Sequence, residues 1–174
     1  MHFWRGPMNS DLGDAKVFLA TPSDAHITAL MAWFPDVASV AVWSPSNHFP
    51  FERERFIRES KLQELASFIL VDAADTPLAF GQYYKRLGLC HLGRLVVNPV
   101  RRGEGLGREL ILKLLAKGTQ ELGAKRCSLF VLDYNTPARK LYSSIGFLET
   151  PYPETIPQTD CLYLTLNYPF SSPP

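Results

Sequence analysis

A glycine-rich turn between a strand and a helix decides the fold of this chain. It reads Leu95-Val96-Val97-Asn98-Pro99-Val100-Arg101-Arg102-Gly103-Glu104-Gly105-Leu106-Gly107. Glycines let the backbone turn tightly and bring N–H groups close to a ligand, and a helix N-terminus adds about half a positive charge. Arg101 and Arg102 add full positive charges suited to phosphate. The segment therefore predicts a binding site for an anion.

Two common nucleotide-binding motifs do not fit this turn. The dinucleotide pattern G-x-G-x-x-G needs a third glycine, but Arg108 stands there when counted from Gly103, and Leu110 when counted from Gly105. The P-loop pattern G-x-x-x-x-G-K-[ST] fails because Lys117–Thr119 has the wrong order. A nucleotide-binding protein with the same anion site remains one interpretation, and it predicts binding of ATP or NAD.

The apolar pattern around the turn alternates between strand and helix periodicity. Strands are predicted at Lys16–Ala20, Ser67–Val71, Leu78–Tyr84, Cys90–Val97, Cys127–Leu132 and Cys161–Leu166. Helices are predicted after Thr21-Pro22-Ser23-Asp24, at Phe51–Ser60, from Leu106 to Gly123 and from Thr136 to Gly146. The order β α α β β β α β α, with one or two closing strands, indicates an α/β or α+β sheet with a central β-α-β unit.

Two motifs in this order resemble the GNAT superfamily of acyl-CoA N-acyltransferases. The first is R-x-x-G-x-G at Arg102, Gly105 and Gly107, directly after a strand that ends in V-x-P. The second is N-x-x-A-x-x-x-Y-x-x-x-G-F, which runs from Asn135 to Phe147 and also follows a strand. The resemblance implies a mixed, mostly antiparallel sheet of about six or seven strands with about four helices. It also implies a V-shaped splay between strands four and five.

The resemblance implies acetyl-CoA as co-substrate, held in that splay, and no metal. Strand four would pair with the pantetheine arm, amides of the turn would hold the pyrophosphate, and the last helix would line the pantetheine exit. The implied cofactor-binding residues are Leu95, Val96, Val97, Arg102, Gly103, Glu104, Gly105, Leu106, Gly107, Asn135 and Ala138. An amine would attack the thioester carbonyl directly, without an acyl-enzyme.

Tyr142 and His91 are the candidate catalytic residues. Tyr142 occupies the position of the family's general acid; its alternative role is a core tyrosine that packs the helix on the sheet. His91 lies on strand four, where an imidazole with a pKa of about 6.5 suits proton removal at neutral pH. Strand alternation predicts that it shares a face with Leu95, and its alternative role is a strand histidine bonded to a neighbour. Some ribosomal-protein acetyltransferases of the family carry a glutamate on strand five, near Phe130 here.

Acceptor specificity is predicted in two segments, 43–56 and 83–89. Their aromatic residues either line an acceptor site or close the core over the first helices. Acidic residues nearby would attract a cationic amine. The aromatic residues are Trp43, Phe49, Phe51, Tyr83 and Tyr84, and the acidic ones are Glu52, Glu54 and Asp133.

Composition excludes several classes of protein. The 174 residues carry 18 Lys+Arg and 17 Asp+Glu, a formal net charge of +1, which lacks the electrostatic footprint of a nucleic-acid binder. The apolar runs are too short for a membrane span, and three spaced cysteines favour neither a zinc site nor a disulfide framework. We expect a cytoplasmic protein with a flexible leader at 1–13, one catalytic domain at 14–170 and a tail at 171–174.

The most direct interpretation is an acetyl-CoA-dependent N-acetyltransferase that acts on a small-molecule amine or on a peptide or protein amine. The alternative is a non-catalytic acyl-CoA-binding or regulatory module with the same fold. Dimerisation is frequent in the family, so a homodimer is one expectation, although no residue here requires it.

Overall fold

Seven strands form one sheet in the computed structural model, which describes residues 16–44 and 48–169. The strands are β1 (Phe18–Ala20), β2 (Ala66–Val71), β3 (Pro77–Arg86), β4 (Leu89–Val97), β5 (Arg126–Leu132), β6 (Leu148–Glu149) and β7 (Cys161–Asn167). Their order across the sheet is β1-β2-β3-β4-β5-β7-β6, and β4–β5 is the parallel pair among antiparallel ones. The predicted mixed, mostly antiparallel sheet is confirmed.

Five α-helices accompany the sheet within the described ranges. They are α1 (Asp24–Met31), α2 (Val37–Trp43), α3 (Arg53–Glu59), α4 (Leu106–Leu122) and α5 (Thr136–Ile145), with a short 3-10 helix at Pro99–Arg101. Four of the five α-helices correspond to predicted ones. The predicted leader at 1–13 and tail at 171–174 lie outside the described residues.

Helix α2 was not predicted from the apolar pattern. It starts directly after Pro35, at a capping box in which the Asp36 carboxylate accepts a hydrogen bond from the Ser39 amide at 2.8 Å. The Ser39 hydroxyl lies 3.3 Å from the Asp36 amide and completes the reciprocal cap. The segment is only seven residues long and rich in β-branched valine, so its cap is a stronger signal than its composition.

The two faces of the sheet bury separate apolar clusters. Leu70 belongs to the larger cluster under α4, whereas its neighbours Ile69 and Val71 belong to the smaller cluster under the first helices. Strand alternation produces this division, since successive side chains point to opposite faces. The apolar residues of α4 recur with helical spacing and are buried in the larger cluster, at Leu106, Leu110, Ile111, Leu114 and Leu115.

Helix α4 approaches the sheet closely at Gly118. A Cβ atom added there would lie 2.7 Å from Cys90 Sγ and 2.9 Å from Tyr83 Cγ, so a larger residue does not fit. Cys90 and its register partner Cys127 are buried and, like Cys161, have free thiols. The backbone of α4 therefore lies directly on β3 and β4 at Gly118. This contact determines where the helix crosses the sheet and, with it, where the N-terminus of α4 lies.

No helix among the described residues has the length and apolar character of a membrane span. Across the same ranges, no group of three or more His, Cys, Asp and Glu side chains is arranged to hold a metal ion.

Candidate functional site

Strands β4 and β5 separate after a short region of pairing. Their paired residues are Cys90–Cys127, His91–Ser128 and Leu92–Leu129. Beyond Leu92 and Leu129 the two strands continue, to Val97 and Leu132 respectively, but their residues no longer pair with each other. The predicted splay between these strands is confirmed.

Leu95, Val96 and Val97 lie on the far side of this divergence. Val96 and Val97 pair with Phe80 and Ala79 of β3 on one edge, while the edge toward β5 has no strand partner. Backbone groups on an unpaired strand edge are free to bind an extended ligand. The three residues predicted to bind pantetheine therefore border an open gap in the sheet.

A bulge in β4 changes which face its residues occupy. The β3–β4 register shifts between Phe80 and Gln82, and Arg94 has a φ of 49°. One extra residue in β4 reverses the alternation beyond that point. The side chain of Leu95 accordingly packs with the larger cluster, under α4, whereas His91 faces the other side. The prediction that His91 and Leu95 share a face is wrong for this reason.

The glycine-rich turn leads directly into the N-terminus of α4. Gly103 and Gly105 have φ values of 82° and 77°, in the left-handed region that favours glycine. Gly105 is the N-cap residue, and no side chain caps the helix. The first amides of this 17-residue helix therefore remain available, together with the positive end of its dipole. This is the geometry of an anion-binding helix start.

Gly107 serves the packing of α4 on α5. An added Cβ would lie 3.0 Å from Leu141 Cδ2 and 3.5 Å from Val97 Cγ2. Leu106 beside it is buried in the larger cluster. The two residues hold the helix start against β4 and α5, so the turn is anchored where β4 leaves β5.

The charged side chains of the turn are not equivalent. Arg101 forms an ion pair with Glu104, with 2.8 Å between Nη2 and Oε2, and this contact lowers the pKa of the Glu104 carboxyl. Arg102 is exposed and has no ion pair with any described residue. Arg102 is thus the cation that is available for an anionic ligand, while Arg101 is already partly neutralised.

Asn135 and Ala138 lie together at the start of α5. The Asn135 Oδ1 atom accepts a hydrogen bond from the Ala138 amide at 3.4 Å and caps the helix. Both residues are half-buried and follow the end of β5, on the other border of the gap from β4.

Tyr142 is buried on α5, on the same side of the sheet as α4. Its side chain belongs to the larger cluster, and its ring centroid lies 6.1 Å from that of Phe147. Burial raises the pKa of its phenol to about 12. The hydroxyl has no hydrogen-bond partner among the described residues, so it carries its proton at neutral pH without a fixed recipient.

His91 is buried on the opposite face and is 2% exposed. Its Nδ1 atom lies 2.8 Å from Ser128 Oγ, and the rings of Tyr84 and Phe130 each have centroids 5.1 Å from the imidazole. Burial, and secondly the positive charge of Arg86, lower its pKa to about 3. The imidazole is therefore neutral at physiological pH. His91 and Tyr142 lie on opposite faces of the sheet and are not in contact with each other.

The predicted aromatic acceptor set is divided between both sides of the sheet. Trp43 packs on Phe34 and Phe56 in the smaller cluster, where Phe51 also lies. Tyr83 faces α4 and donates a hydrogen bond to Glu121. These three residues pack in or against the apolar clusters, as the core interpretation predicts, and Tyr84 is the member that adjoins His91.

Sequence reasoning missed most of the residues around His91. Arg86 extends over the Tyr84 and Phe130 rings, and Tyr152 and Tyr163 complete an aromatic cluster on this face. The spacing of Tyr84 and Arg86, two apart on one strand, was a readable sign that both share a face. The predicted acidic residues Glu52, Glu54 and Asp133 are exposed and outside this cluster.

Comparisons with known proteins agree with this arrangement. A sequence model of the acetyltransferase (GNAT) family matches residues 29–147. An uncharacterized N-acetyltransferase of Schizosaccharomyces pombe is 41% identical over 66 residues, which are 37% of this chain and 40% of that protein. A UPF0039 protein of the same yeast is 41% identical over 56 residues, 32% of this chain and 36% of that protein. The chain therefore matches less than half the length of these relatives.

Solved structures share the fold over most of the chain. The ribosomal-protein-S18-alanine N-acetyltransferase of Escherichia coli has a TM-score of 0.61 and 21% identity, covering 90% of this chain and 97% of that one. The spermidine N-acetyltransferase of Vibrio cholerae, solved with CoA and spermine, has a TM-score of 0.67 and 17% identity, covering 87% and 95%. With the family match spanning more than half of its length, the chain belongs to the acetyltransferase (GNAT) family.

Proposed function

We propose that this chain is an N-acetyltransferase that moves an acetyl group from acetyl-CoA to a primary amine by direct attack in a ternary complex. One observation carries the proposal: the gap between β4 and β5 opens beside the uncapped, glycine-led N-terminus of α4. An unpaired strand edge suits an extended amide-containing arm, and the helix start suits a pyrophosphate. Acetyl-CoA carries both groups.

The residues present fit this co-substrate. The edge of Leu95, Val96 and Val97 would pair with the pantetheine arm, and the turn from Arg102 to Gly107 would hold the pyrophosphate through its amides. Glycine at 105 keeps that cradle free of a side chain. Asn135 and Ala138 would border the arm at the start of α5.

When bound, the thioester would supply an activated acetyl group; proton transfer falls to the side chains. His91 is neutral, and its Nδ1 atom is engaged by Ser128. In the tautomer in which Nδ1–H donates to Ser128 Oγ, the Nε2 atom is unprotonated and would accept the proton of the attacking amine. A base with so low a pKa removes that proton only once bond formation has made the nitrogen acidic. Tyr142 is protonated and would donate its phenolic proton to the departing sulfur.

The acceptor is an amine of a small molecule or of a peptide. Structures of this fold include proteins named for spermidine and for the alanine of a ribosomal protein, which supports both classes. The single domain at 14–170, the cytoplasmic location and the homodimer stay predictions.

Calorimetric titration of acetyl-CoA tests the binding site. We expect wild type to bind in the micromolar range and Gly105→Glu to lose at least about tenfold in affinity, because the new carboxylate would fill and charge the cradle. Gly88→Glu is the matched control: Gly88 has a φ of 79°, lies in the β3–β4 turn and has open space around it. Equal losses in both variants, or no binding by folded wild type, would contradict the proposed site.

Release of CoA thiol with a panel of amines then separates catalysis from binding. Turnover supports the transferase. Tight acetyl-CoA binding without turnover of any amine would instead support the non-catalytic acyl-CoA-binding module.

A further inference from the structure

Arg86 is a half-buried cation that lacks a carboxylate partner. Its Cζ atom lies 5.1 Å from the Phe130 ring centroid and 5.7 Å from that of Tyr84. Nη1 donates a hydrogen bond to the Tyr152 hydroxyl at 3.0 Å. No aspartate or glutamate of the described ranges forms an ion pair with it. The two rings and the phenol oxygen hold the cation without neutralising it, so an anionic group of a ligand would be the counter-ion that the protein does not supply.

The same two rings connect Arg86 to His91. Tyr84 and Phe130 each lie 5.1 Å from the imidazole centroid and each carry the guanidinium on a ring face. The positive charge of Arg86 is also close enough to lower the pKa of His91. An acceptor with its nitrogen at His91 therefore has the rest of its structure within reach of Arg86.

We propose that the acceptor amine carries a carboxylate and that Arg86 binds this group. The inference rests on the proposed function, with His91 as the base. The guanidinium matches a carboxylate in shape, through paired hydrogen bonds, and in charge, with one positive for one negative. A polyamine would place a second ammonium near Arg86, where like charges repel. Amino-acid-like molecules are thus favoured over polyamines.

Matched pairs of acceptors test this proposal. The panel contains α-, β- and γ-amino acids, each paired with the amine that lacks the carboxylate, and release of CoA thiol is followed. We expect wild type to show kcat/KM values at least about tenfold higher for the acids than for their paired amines. A factor of this size corresponds to the free energy of one hydrogen bond between charged groups. The variant Arg86→Met, which keeps an apolar side chain between the rings, should raise KM for each acid about tenfold or more relative to its paired amine. Loss of the Arg86 charge also alters the pKa of His91, but this effect is common to both members of a pair and cancels in the ratio.

The matched control is Lys85→Met. Lys85 is the exposed neighbour of Arg86 on β3 and points to the other face, so its loss should not change the preference. Arg86→Lys keeps the charge but not the planar fork, and we expect intermediate KM values. Retained acetyl-CoA binding shows that each variant is folded.

Binding of the reaction product gives a readout without turnover. Protein saturated with CoA is titrated with an N-acetyl amino acid and with the N-acetyl amine that lacks its carboxylate. We expect only the N-acetyl amino acid to bind, and we expect Arg86→Met to lose this binding.

Two outcomes would overturn the inference: equal use of the acid and the amine in each acceptor pair, or an equal loss of activity with both in Arg86→Met. If the protein binds acetyl-CoA but neither binds nor acetylates any compound with a carboxylate, the inference about the acceptor is wrong and the proposed function still stands. Failure to bind acetyl-CoA would overturn the proposed function as well.

Discussion

The Nδ1 atom of His91 lies 2.8 Å from the Oγ atom of Ser128, and this hydrogen bond connects β4 to β5 within their short paired region. Both side chains are buried. The bond fixes the imidazole plane and directs Nε2 away from Ser128. His91 thus holds a fixed position in the sheet, which the proposed role of Nε2 requires.

The pH dependence of the free energy of unfolding should show that His91 is neutral in the folded protein. In the unfolded chain its pKa is about 6.5, whereas burial lowers the folded value to about 3. The unfolded state alone takes up this proton between those values, so folding stability decreases as pH falls from about 6.5 toward about 3. Between pH 7.5 and pH 5 we expect wild type to lose about 2 kcal/mol more than His91→Gln in urea unfolding. Equal losses would show that the folded imidazole is charged.

Replacing Tyr142 by Phe should separate catalysis from packing. The hydroxyl has no hydrogen-bond partner among the described residues, and its pKa of about 12 keeps it protonated. We expect kcat to fall about 100-fold, the range of a lost general acid, with the free energy of unfolding changed by less than about 0.5 kcal/mol. Steady-state kinetics and urea midpoints measure the two effects. An unchanged kcat would assign Tyr142 to the core alone.

Arg94 tests the energetic cost of the β4 bulge. Its guanidinium donates to Gln82 Oε1 at 3.0 Å and to the Glu59 carbonyl at 3.1 Å, while its backbone has a φ of 49°. Truncation removes both hydrogen bonds and should destabilise the protein by about 1–3 kcal/mol. Arg94→Gly should be more stable than Arg94→Ala by about 1 kcal/mol, because glycine adopts this φ without strain. The reverse order in thermal unfolding would show that the bulge relaxes in the variants.

Removing the Glu104 carboxylate should strengthen acetyl-CoA binding. Arg101 is neutralised by Glu104 at the edge of the turn, so Glu104→Gln would release its charge for the pyrophosphate. We expect a several-fold lower Kd at low salt and a smaller difference at high salt, where exposed charges are screened. Glu109→Gln in the first turn of α4 removes the same charge without releasing an arginine and serves as the control. Equal gains in both variants would assign the effect to net charge.

Local patterns predicted most of the elements and the position of the glycine-rich turn before α4. The five apolar positions of α4 are all buried, since a 3.6-residue period is set within one segment. The positive φ values of Gly103 and Gly105 likewise follow from the turn itself. Helix α2 was missed because its signal is a pair of capping contacts at Asp36 rather than a run of apolar residues.

The surroundings of His91 could not be predicted in the same way. They depend on the register that sets Tyr84 and Ser128 opposite His91, although one lies seven residues before it and the other 37 residues after it. Alternation alone gave the wrong face for Leu95, because the extra residue at Arg94 has no distinctive residue type. Pairing between distant strands is decided by the whole sheet.

The short pairing between β4 and β5 is a weak point of the sheet, because few backbone hydrogen bonds cross it. One half consists of β1 to β4 and the other of β5 to β7, and three residue pairs hold them together edge to edge. Helix α4 braces the join on one face at Gly118. An occupant that bonds to both edges of the gap would act as an additional strand, and it would join the two halves of the sheet where their own pairing has ended.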